Sequence, residues 1–203
     1  MILVTGGTGF IGSHLLERLS ILGVPARCLL RRTKKPRPLP PGVEPVFGDL
    51  TSGQGLDDAL RGASTVIHLA GVTKALTAAG YYSGNVHATE VLLGALAGHA
   101  VRLVHVSSLA AIGPSRDGIP VDEEAQPSPL THYGKSKLAA ERLVRELAPE
   151  AVIVRPPVVY GPRDTDVFQL LKSISRGLVL EISGGDKTPI AALRVYRPPF
   201  RSN

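Results

Sequence analysis

Two polar side chains four residues apart, Tyr133 and Lys137, could together perform proton transfer. Positions i and i+4 of a helix share one face, so this spacing places the phenol and the ammonium side by side. A free phenol has a pKa of about 10, which is too high for a base at neutral pH. A neighbouring ammonium stabilises the phenolate and lowers that pKa. We therefore predict that Tyr133 exchanges a proton with a substrate hydroxyl or carbonyl.

A serine pair precedes this motif and could supply a third group. Ser108 lies 25 residues before Tyr133 and directly follows a predicted strand, Val101–Ser107. Doubly wound sheets bind their ligands at the carboxyl ends of strands, which is where Ser108 would lie. Ser107 is the adjacent alternative. A Tyr-Lys pair alone is common on surface helices, so this combination favours chemistry over a solvated helix face.

The strongest motif lies at the N-terminus, where Gly6, Gly9 and Gly12 have the spacing G-x-x-G-x-x-G. They fall between a predicted strand and a predicted helix, which is the context of a dinucleotide-binding turn. Glycine permits close approach of the backbone to a pyrophosphate, and the helix N-terminus offers N–H groups to it. The alternative is a glycine-rich turn without a ligand. A P-loop is excluded, because no Gly-Lys-Ser/Thr closes the motif.

The end of the second predicted strand indicates which dinucleotide is bound. NAD proteins of this architecture place an acid there to bind the ribose 2′-hydroxyl, and counting about 18 residues beyond Gly12 reaches Leu30 instead. Arg31 and Arg32 follow directly, and guanidinium groups suit a 2′-phosphate. We therefore predict NADP as the cofactor, with NAD as the other candidate. A solvated basic loop is the alternative interpretation of these arginines.

The net charge of +6 does not indicate a nucleic-acid partner. The excess is concentrated in two stretches, one around Arg31 and one in the last 17 residues, Lys187–Asn203. Few aromatic side chains lie near the first stretch to stack bases, and no nucleic-acid motif is present. We expect a small-molecule partner instead.

Other function classes are also disfavoured. Cys28 is the single cysteine, and no histidine pair has metal-ligand spacing near acids, so we expect no metal. No apolar run reaches the ~18 residues of a membrane helix, and the N-terminus lacks the basic leader of a signal peptide. We expect a cytoplasmic protein without a membrane partner. The sequence has no G-x-S-x-G nucleophile elbow, so a serine hydrolase is also disfavoured.

The elements that must position these groups alternate along the chain. Predicted strands are Met1–Thr5, Ala26–Leu30, Glu44–Phe47, Thr65–Leu69, Val101–Ser107 and Ala151–Arg155, and predicted helices are Ile11–Leu22, Leu56–Arg61, Asn85–His99, Tyr133–Leu147 and Val167–Arg176. Leu178–Ile182 is a candidate short strand. Repeated strand-helix-strand order implies parallel pairing with right-handed crossovers. We predict a three-layer α/β/α fold with a doubly wound parallel sheet.

Several segments resemble, in order, the extended short-chain dehydrogenase/reductase family of epimerases, dehydratases and reductases, over about residues 1–185. The matching segments are Thr5-Gly6-Gly7-Thr8-Gly9-Phe10-Ile11-Gly12, Gly48-Asp49-Leu50, His68-Leu69-Ala70-Gly71, Asn85-Val86-His87-Ala88-Thr89, Arg155-Pro156 and Tyr160-Gly161-Pro162. Gly71 and Ala88 depart from the family pattern, where alanine and glycine stand at these positions.

The resemblance implies an NAD(P)-dependent Rossmann-fold oxidoreductase, epimerase or dehydratase that transfers hydride on a sugar-nucleotide or carbonyl substrate. It assigns Ser108 to polarise the reacting oxygen, Tyr133 to act as acid/base, and Lys137 to bind the nicotinamide ribose. The cofactor residues it implies, together with the two arginines above, are Gly6, Gly9, Phe10, Ile11, Arg31, Arg32, Asp49, Leu50, Leu69, Ala70, Gly71, Asn85, Tyr133, Lys137, Pro156 and Val158. Family members often form homodimers through a four-helix interface, which makes a homodimer the expected assembly.

The resemblance ends near Gly185, where a basic, proline-rich tail begins. We expect a nucleotide-binding domain at 1–165 and a rudimentary extension at 166–203, with the substrate domain of the family largely missing. Three explanations are open: a truncated or frame-shifted gene, which we favour; a chain cut before expression; and a natural short variant. A catalytically silent NADP-binding or interaction domain is therefore the alternative function.

Overall fold

The computed structural model describes residues 1–32, 38–115 and 120–176, and the backbone of Ala192–Arg194. The candidate strand at Leu178–Ile182 and the remainder of the basic tail lie outside the described residues. The strands are β1 (Ile2–Thr5), β2 (Ala26–Leu30), β3 (Val43–Phe47), β4 (Thr65–His68), β5 (Arg102–Val106), β6 (Val152–Val154), β7 (Val158–Tyr160) and β8 (Ala192–Arg194). The α-helices are α1 (Phe10–Ile21), α2 (Leu56–Leu60), α3 (Ala78–Tyr82), α4 (Ala88–Leu96), α5 (His132–Leu147) and α6 (Asp166–Ser175).

The six strands from β1 to β6 form one parallel sheet in the order β3-β2-β1-β4-β5-β6. The chain moves outward from β1 to β3, then returns to pair β4 with the other side of β1. This reversal makes the sheet doubly wound, so the predicted fold class is confirmed. It also opens a crevice at the carboxyl ends of β1 and β4, where such sheets bind ligands.

Alternation along β1 explains why helices cover both faces of the sheet. Leu3 and Val4 are both fully buried although their side chains point to opposite faces. Leu3 packs in a core with residues of α2 and α4, and Val4 packs in a second core with Leu16 of α1. Strands buried on both faces appear in sequence as continuous apolar runs, which is why β1 could be predicted from the sequence.

One predicted element differs from the structure. The helix expected over Asn85–His99 is part of a longer helical run that begins at Ala78, continues through a π-helix at Ser83–His87 and ends at Leu96. The Thr77 hydroxyl accepts a hydrogen bond from the Gly80 N–H at 3.2 Å and begins this run. Gly98, with φ of +83°, follows its end. Two glycines near the start weaken the helical pattern in the sequence.

The chain divides into two compact units. The first contains residues 1–114 and 121–155 and holds the six-stranded sheet; the second contains 115–120 and 156–203. Among the described residues of the second unit, β7 pairs in parallel with β8. The domain boundary expected after residue 165 stays a prediction. Within the described residues, no helix is long and apolar enough to cross a membrane.

Among the described residues of the first unit, β6 is the last strand of the sheet and pairs with β5 on one side. The side chains of Val152 and Val154 on this strand are 50% and 42% exposed. The opposite edge is formed by β3, where Pro45 lacks a backbone N–H to donate.

Candidate active site

The turn between β1 and α1 is a tight cradle that only glycine can build. Gly6 has φ of +70°, and a Cβ placed on it would lie 2.6 Å from the backbone nitrogen of Ala70. A Cβ on Gly12 would overlap the carbonyl oxygen of Gly6. The Gly9 N–H donates a hydrogen bond to the same carbonyl at 3.0 Å. The motif therefore folds the backbone closely against the segment that follows β4.

This cradle leads directly into the N-terminus of α1. The first turn of a helix has N–H groups without a partner in the helix, and Phe10 and Ile11 begin this one. Gly9 supplies no side-chain cap, and the first turn carries no acid. Those N–H groups and the positive end of the helix dipole suit an anionic pyrophosphate. The residues present therefore fit a dinucleotide cofactor.

Two exposed arginines follow β2 beside the cradle. The Arg32 guanidinium carbon lies 5.0 Å from the centre of the Phe47 ring, in a cation–π contact at the end of β3. Hydrogen bonds from Thr51 to the Asp49 carboxylate chiefly lower the pKa of Asp49, and the charge of Arg31 adds a smaller contribution. The side chain of Asp49 thus holds its own turn, and its predicted role in binding the cofactor stays a prediction, as does that of Leu50.

Tyr133 and Ser108 meet as the sequence predicts, but the electrostatics of the phenol differ. Tyr133 lies in the first turn of α5, and Ser108 follows β5. Their side chains share a hydrogen bond that lowers the Tyr133 pKa, while burial raises it more strongly, so the net pKa is raised. The predicted lowering by Lys137 is not found. Burial disfavours the phenolate, so Tyr133 is a neutral phenol at neutral pH.

The Lys137 ammonium is almost completely buried and is bound to the backbone. Its Nζ donates a hydrogen bond to the Val106 carbonyl at 2.8 Å, at the end of β5. Burial lowers its pKa to about 8, against the opposing influence of the Glu141 carboxylate. A Cβ on Gly71 would lie 3.9 Å from this nitrogen and 2.9 Å from Asn85 Oδ1. The glycine at position 71 therefore leaves space beside both polar groups.

Asn85 lies in the π-helix and binds two parts of the site together. Its Oδ1 accepts from the Val72 N–H at 2.7 Å, and its Nδ2 donates to the Val72 carbonyl at 3.0 Å. The same Nδ2 donates to Ser136 Oγ at 2.9 Å, and Ser136 donates to the Tyr133 carbonyl at 2.7 Å. Asn85 therefore anchors the first turn of α5 to the segment after β4. Insertions of π-helix are frequent at functional sites.

Two buried histidines lie beneath the site, on neighbouring strands. Thr89 donates its hydroxyl proton to the Asn85 carbonyl, so His68 Nε2 must donate to Thr89 and Nδ1 must accept from Thr5. Burial lowers the pKa of His68, which agrees with this neutral tautomer. His105 lies 5.4 Å from the His68 ring and has no hydrogen-bond partner among the described residues. Burial lowers its pKa to about 3.

Glu141 is a central residue that the sequence did not single out. Its carboxylate is fully buried and accepts hydrogen bonds from Ser107 Oγ and from both Arg155 Nε and Nη2, at 2.9 and 2.6 Å. Arg145 Nη2 adds a fourth contact at 3.3 Å. Ser107, the alternative to Ser108, is thus bound to Glu141. Two features of the sequence could have pointed to Glu141: it lies four residues after Lys137 on the same helix, and Arg155 of the Arg155-Pro156 segment is a cation that could pair with it.

Tyr81 of α3 is a second residue without a sequence signal. Its ring centre lies 6.2 Å from that of Tyr133, with the planes tilted by 57°. Of the remaining predicted cofactor residues, Leu69 and Ala70 lie against the glycine cradle, where the Ala70 N–H donates to Thr5 Oγ1. Pro156 and Val158 belong to the second unit, and their roles stay predictions. No cluster of metal ligands occurs within the residues that the structure describes.

The nucleotide cradle and the Tyr-Lys-Ser cluster occupy the same end of the sheet, an arrangement that characterises dinucleotide-binding α/β proteins. The chain belongs to the NAD dependent epimerase/dehydratase family, whose model matches residues 2–189. The predicted family is thereby confirmed.

Curated relatives in this family have different activities. The chain is 37% identical to the ceramide reductase of Caulobacter vibrioides over 187 residues, which cover 90% of this chain and 53% of the relative. It is 36% identical to the UDP-glucose 4-epimerase of Azospirillum brasilense over 155 residues, 71% of this chain and 44% of the relative. The chain therefore spans about half the length of these proteins.

Solved structures are also similar to this chain. MoeE5 in complex with UDP-glucose and NAD superposes with a TM-score of 0.79 at 35% identity, over 95% of this chain and 67% of that one. The UDP-glucuronic acid 4-epimerase of Bacillus cereus, in complex with NAD, superposes with a TM-score of 0.75 at 27% identity, over 87% and 64% of the two chains.

Proposed function

We propose that the protein is an NAD(P)-dependent oxidoreductase, epimerase or dehydratase that transfers hydride at a carbon bearing oxygen. The observation that carries this proposal is the hydrogen bond between Ser108 and Tyr133, with the buried Lys137 one turn further along the same helix. These three groups lie at the same end of the sheet as the glycine cradle, so a nicotinamide and a substrate oxygen can meet there.

The neutral phenol of Tyr133 suits the donation of a proton. Its raised pKa means that at neutral pH it can give a proton to a substrate oxygen, as the reduction of a carbonyl requires. Ser108 accepts from the Ala110 N–H at 3.2 Å, and its hydroxyl proton would polarise a substrate oxygen that takes the place of its contact with Tyr133. The nicotinamide supplies or accepts the hydride when it is bound. Below its pKa of about 8, Lys137 adds a positive charge to the site, one helical turn along α5 from Tyr133.

The substrate in this proposal is a sugar nucleotide or a small carbonyl compound. Support comes from the relatives, which include a ceramide reductase and a UDP-glucose 4-epimerase, and from a similar structure with UDP-glucose bound. Because the chain spans about half the length of the curated relatives, their individual substrates are not transferred to it.

The cofactor in this proposal is NADP, with NAD as the alternative. Support for NADP comes from Arg31 and Arg32, which are exposed after β2, and from the buried Leu30, which occupies the place of a ribose-binding acid. Guanidinium groups bind a phosphate with charge-assisted hydrogen bonds. The similar structures named above hold NAD, so the two cofactors must be compared directly.

A substrate panel tests the function. Purified protein is incubated with NADPH or NADH and a set of carbonyl compounds and sugar nucleotides, and oxidation of the cofactor is followed by absorbance. We expect turnover with at least one substrate, and its loss in Tyr133→Phe with cofactor binding retained. Tyr82→Phe is the matched control, because Tyr82 is 42% exposed on α3. Unchanged turnover in Tyr133→Phe would refute the catalytic role.

The second candidate is a catalytically silent NADP-binding or interaction domain. The observation that favours it is the glycine cradle, which fits a dinucleotide by its own backbone and does not require turnover at Tyr133. A shift of NADPH fluorescence on binding, combined with no oxidation across the whole panel, would support this candidate over the enzyme.

A homodimer and a cytoplasmic location are further parts of the proposal; light scattering on the purified protein tests the homodimer.

A further inference from the structure

Three ionisable side chains follow one another at four-residue steps along α5: Tyr133, Lys137 and Glu141. The first two belong to the site proposed above, and the third is the most deeply buried, with no exposed surface. We propose that Glu141 is a positioning residue of this site, which clamps the strand end bearing Ser108 to the helix bearing Tyr133 and provides the counter-charge of Lys137. This inference rests on the proposed function for its catalytic consequence, but not for its electrostatic one.

The carboxylate of Glu141 joins three separate segments of the first unit. Ser107 donates to it from the end of β5, and Arg155 donates twice from just beyond β6. Arg145, one turn further along α5, donates once from the surface. These hydrogen bonds and the arginine charges lower the pKa of Glu141 despite its burial. The carboxylate is therefore ionised, and its removal would leave buried donors without an acceptor.

The Ser107 contact determines the direction of Ser108. The Ser107 N–H donates to the Val154 carbonyl at 2.7 Å, and its hydroxyl donates to Glu141. Ser107 is thus fixed through both its backbone and its side chain. Because Ser108 is the next residue in the chain, this fixation holds the backbone from which Ser108 reaches Tyr133, which lies on the same helix as Glu141.

Glu141 is also the anionic group that acts on Lys137. The ammonium is held by the Val106 carbonyl of β5 and lies near His105 of β5 and His68 of β4. Both histidines have pKa values lowered by burial, so they carry no charge at neutral pH. On its own helix, Lys137 has the neutral Tyr133 before it and the Glu141 carboxylate after it, and this carboxylate raises its pKa. Without that carboxylate, the pKa of Lys137 must fall.

Nuclear magnetic resonance tests the electrostatic part without any need for turnover. In protein labelled at the lysine side chains, the resonance that is missing from Lys137→Met identifies Lys137, and a pH series gives its pKa. We expect this pKa to fall below about 8 in Glu141→Gln and to return toward the native value in Glu141→Asp, which retains the charge. A Lys137 pKa that is the same in Glu141→Gln and the native protein would overturn the inference.

Two further variants separate positioning from stability. Ser107→Ala keeps the carboxylate and its arginines, so it folds even where Glu141→Gln does not. We expect Ser107→Ala to lower kcat about tenfold, with KM for the cofactor and the Lys137 pKa unchanged, because Ser108 loses its fixed direction. Glu141→Asp should also lower kcat, since its shorter side chain cannot reach Ser107. An unchanged kcat in both variants would refute the clamp.

These readouts distinguish the two proposals. If no substrate is turned over, the proposed function fails while the Lys137 titration still measures the effect of Glu141. If turnover is found but neither kcat nor the Lys137 pKa responds to position 141, the positioning role fails and the proposed function stands.

Discussion

The pair formed by Glu141 and Arg155 gives a prediction of stability that can be worked from the structure. Arg155 binds the carboxylate through two hydrogen bonds at 2.9 and 2.6 Å, and the side chains of Arg155 and Glu141 are 14% and 0% exposed. In Arg155→Met, Glu141 retains only Ser107 and the half-exposed Arg145. Breaking a buried ion pair by removing one partner costs about 3–5 kcal/mol of unfolding free energy. For a chain of this size, that corresponds to a fall in Tm of roughly 6–20 °C.

Arg145→Met is the matched control, because it removes the other guanidinium from the same carboxylate. The Arg145 side chain is 52% exposed, so its loss should cost at most about 1 kcal/mol. Urea unfolding followed by circular dichroism measures both variants. The reasoning fails if Arg155→Met loses less than about 1 kcal/mol or no more than Arg145→Met.

The effect of Arg155→Met should depend on pH. The partners of Glu141 lower its pKa in the folded protein below that in the unfolded chain. The resulting stability is present above the unfolded-state pKa and is lost as the pH falls through the folded-state pKa. Arg155→Met abolishes much of this contribution, so its stability deficit should be complete near neutral pH and should shrink below about pH 4.5, where the carboxyl accepts a proton.

Other predictions concern the cofactor. Gly12→Ala should abolish NADPH binding measured by fluorescence, because the new Cβ overlaps the Gly6 carbonyl, whereas Gly94→Ala, with open space around it, should bind normally. Arg31→Ser should weaken NADPH binding about tenfold or more and leave NADH binding unchanged, since a charge-assisted hydrogen bond contributes about 1.5–3 kcal/mol; Arg61→Ser is the exposed control. NADPH affinity measured across a pH series should decrease as the pH rises through about 8, where Lys137 loses its charge, and a flat profile would contradict this.

The fold was predictable because its signals are local. Ala26–Leu30 was predicted with the bounds it has in the structure, and the other strands of the six-stranded sheet differ by at most one residue at each end, whereas β7 and β8 were not predicted. Most strands of the six-stranded sheet are short, largely apolar runs bounded by turn residues, and the glycine motif marks the first strand-helix junction. The π-helix at Ser83–His87 was not predictable, since its register depends on Asn85 reaching Val72 and Ser136 in the folded chain.

Part of the candidate site could be predicted from the sequence and part could not. Ser108 and Tyr133 could be brought together on topology alone, because strand ends and helix starts meet at one edge of the sheet. The direction of the Tyr133 pKa was wrong, because it depends on a burial that no spacing reveals. Glu141 was missed for the same reason. A buried carboxylate is recognised by its partners, and Ser107 and Arg155 lie 34 and 14 residues away in the chain.

The edge of the sheet at β6 has a consequence for handling the protein. Among the described residues of the first unit, β6 pairs with β5 alone, so the N–H and C=O groups on its other side have no strand partner there, and the exposed valines Val152 and Val154 add an apolar surface along it. Such an edge is a template for intermolecular strand addition and for aggregation. Natural sheets often protect their edges with a lysine. Val152→Lys should therefore raise the yield of soluble material without altering the glycine cradle or the Tyr133 face of α5.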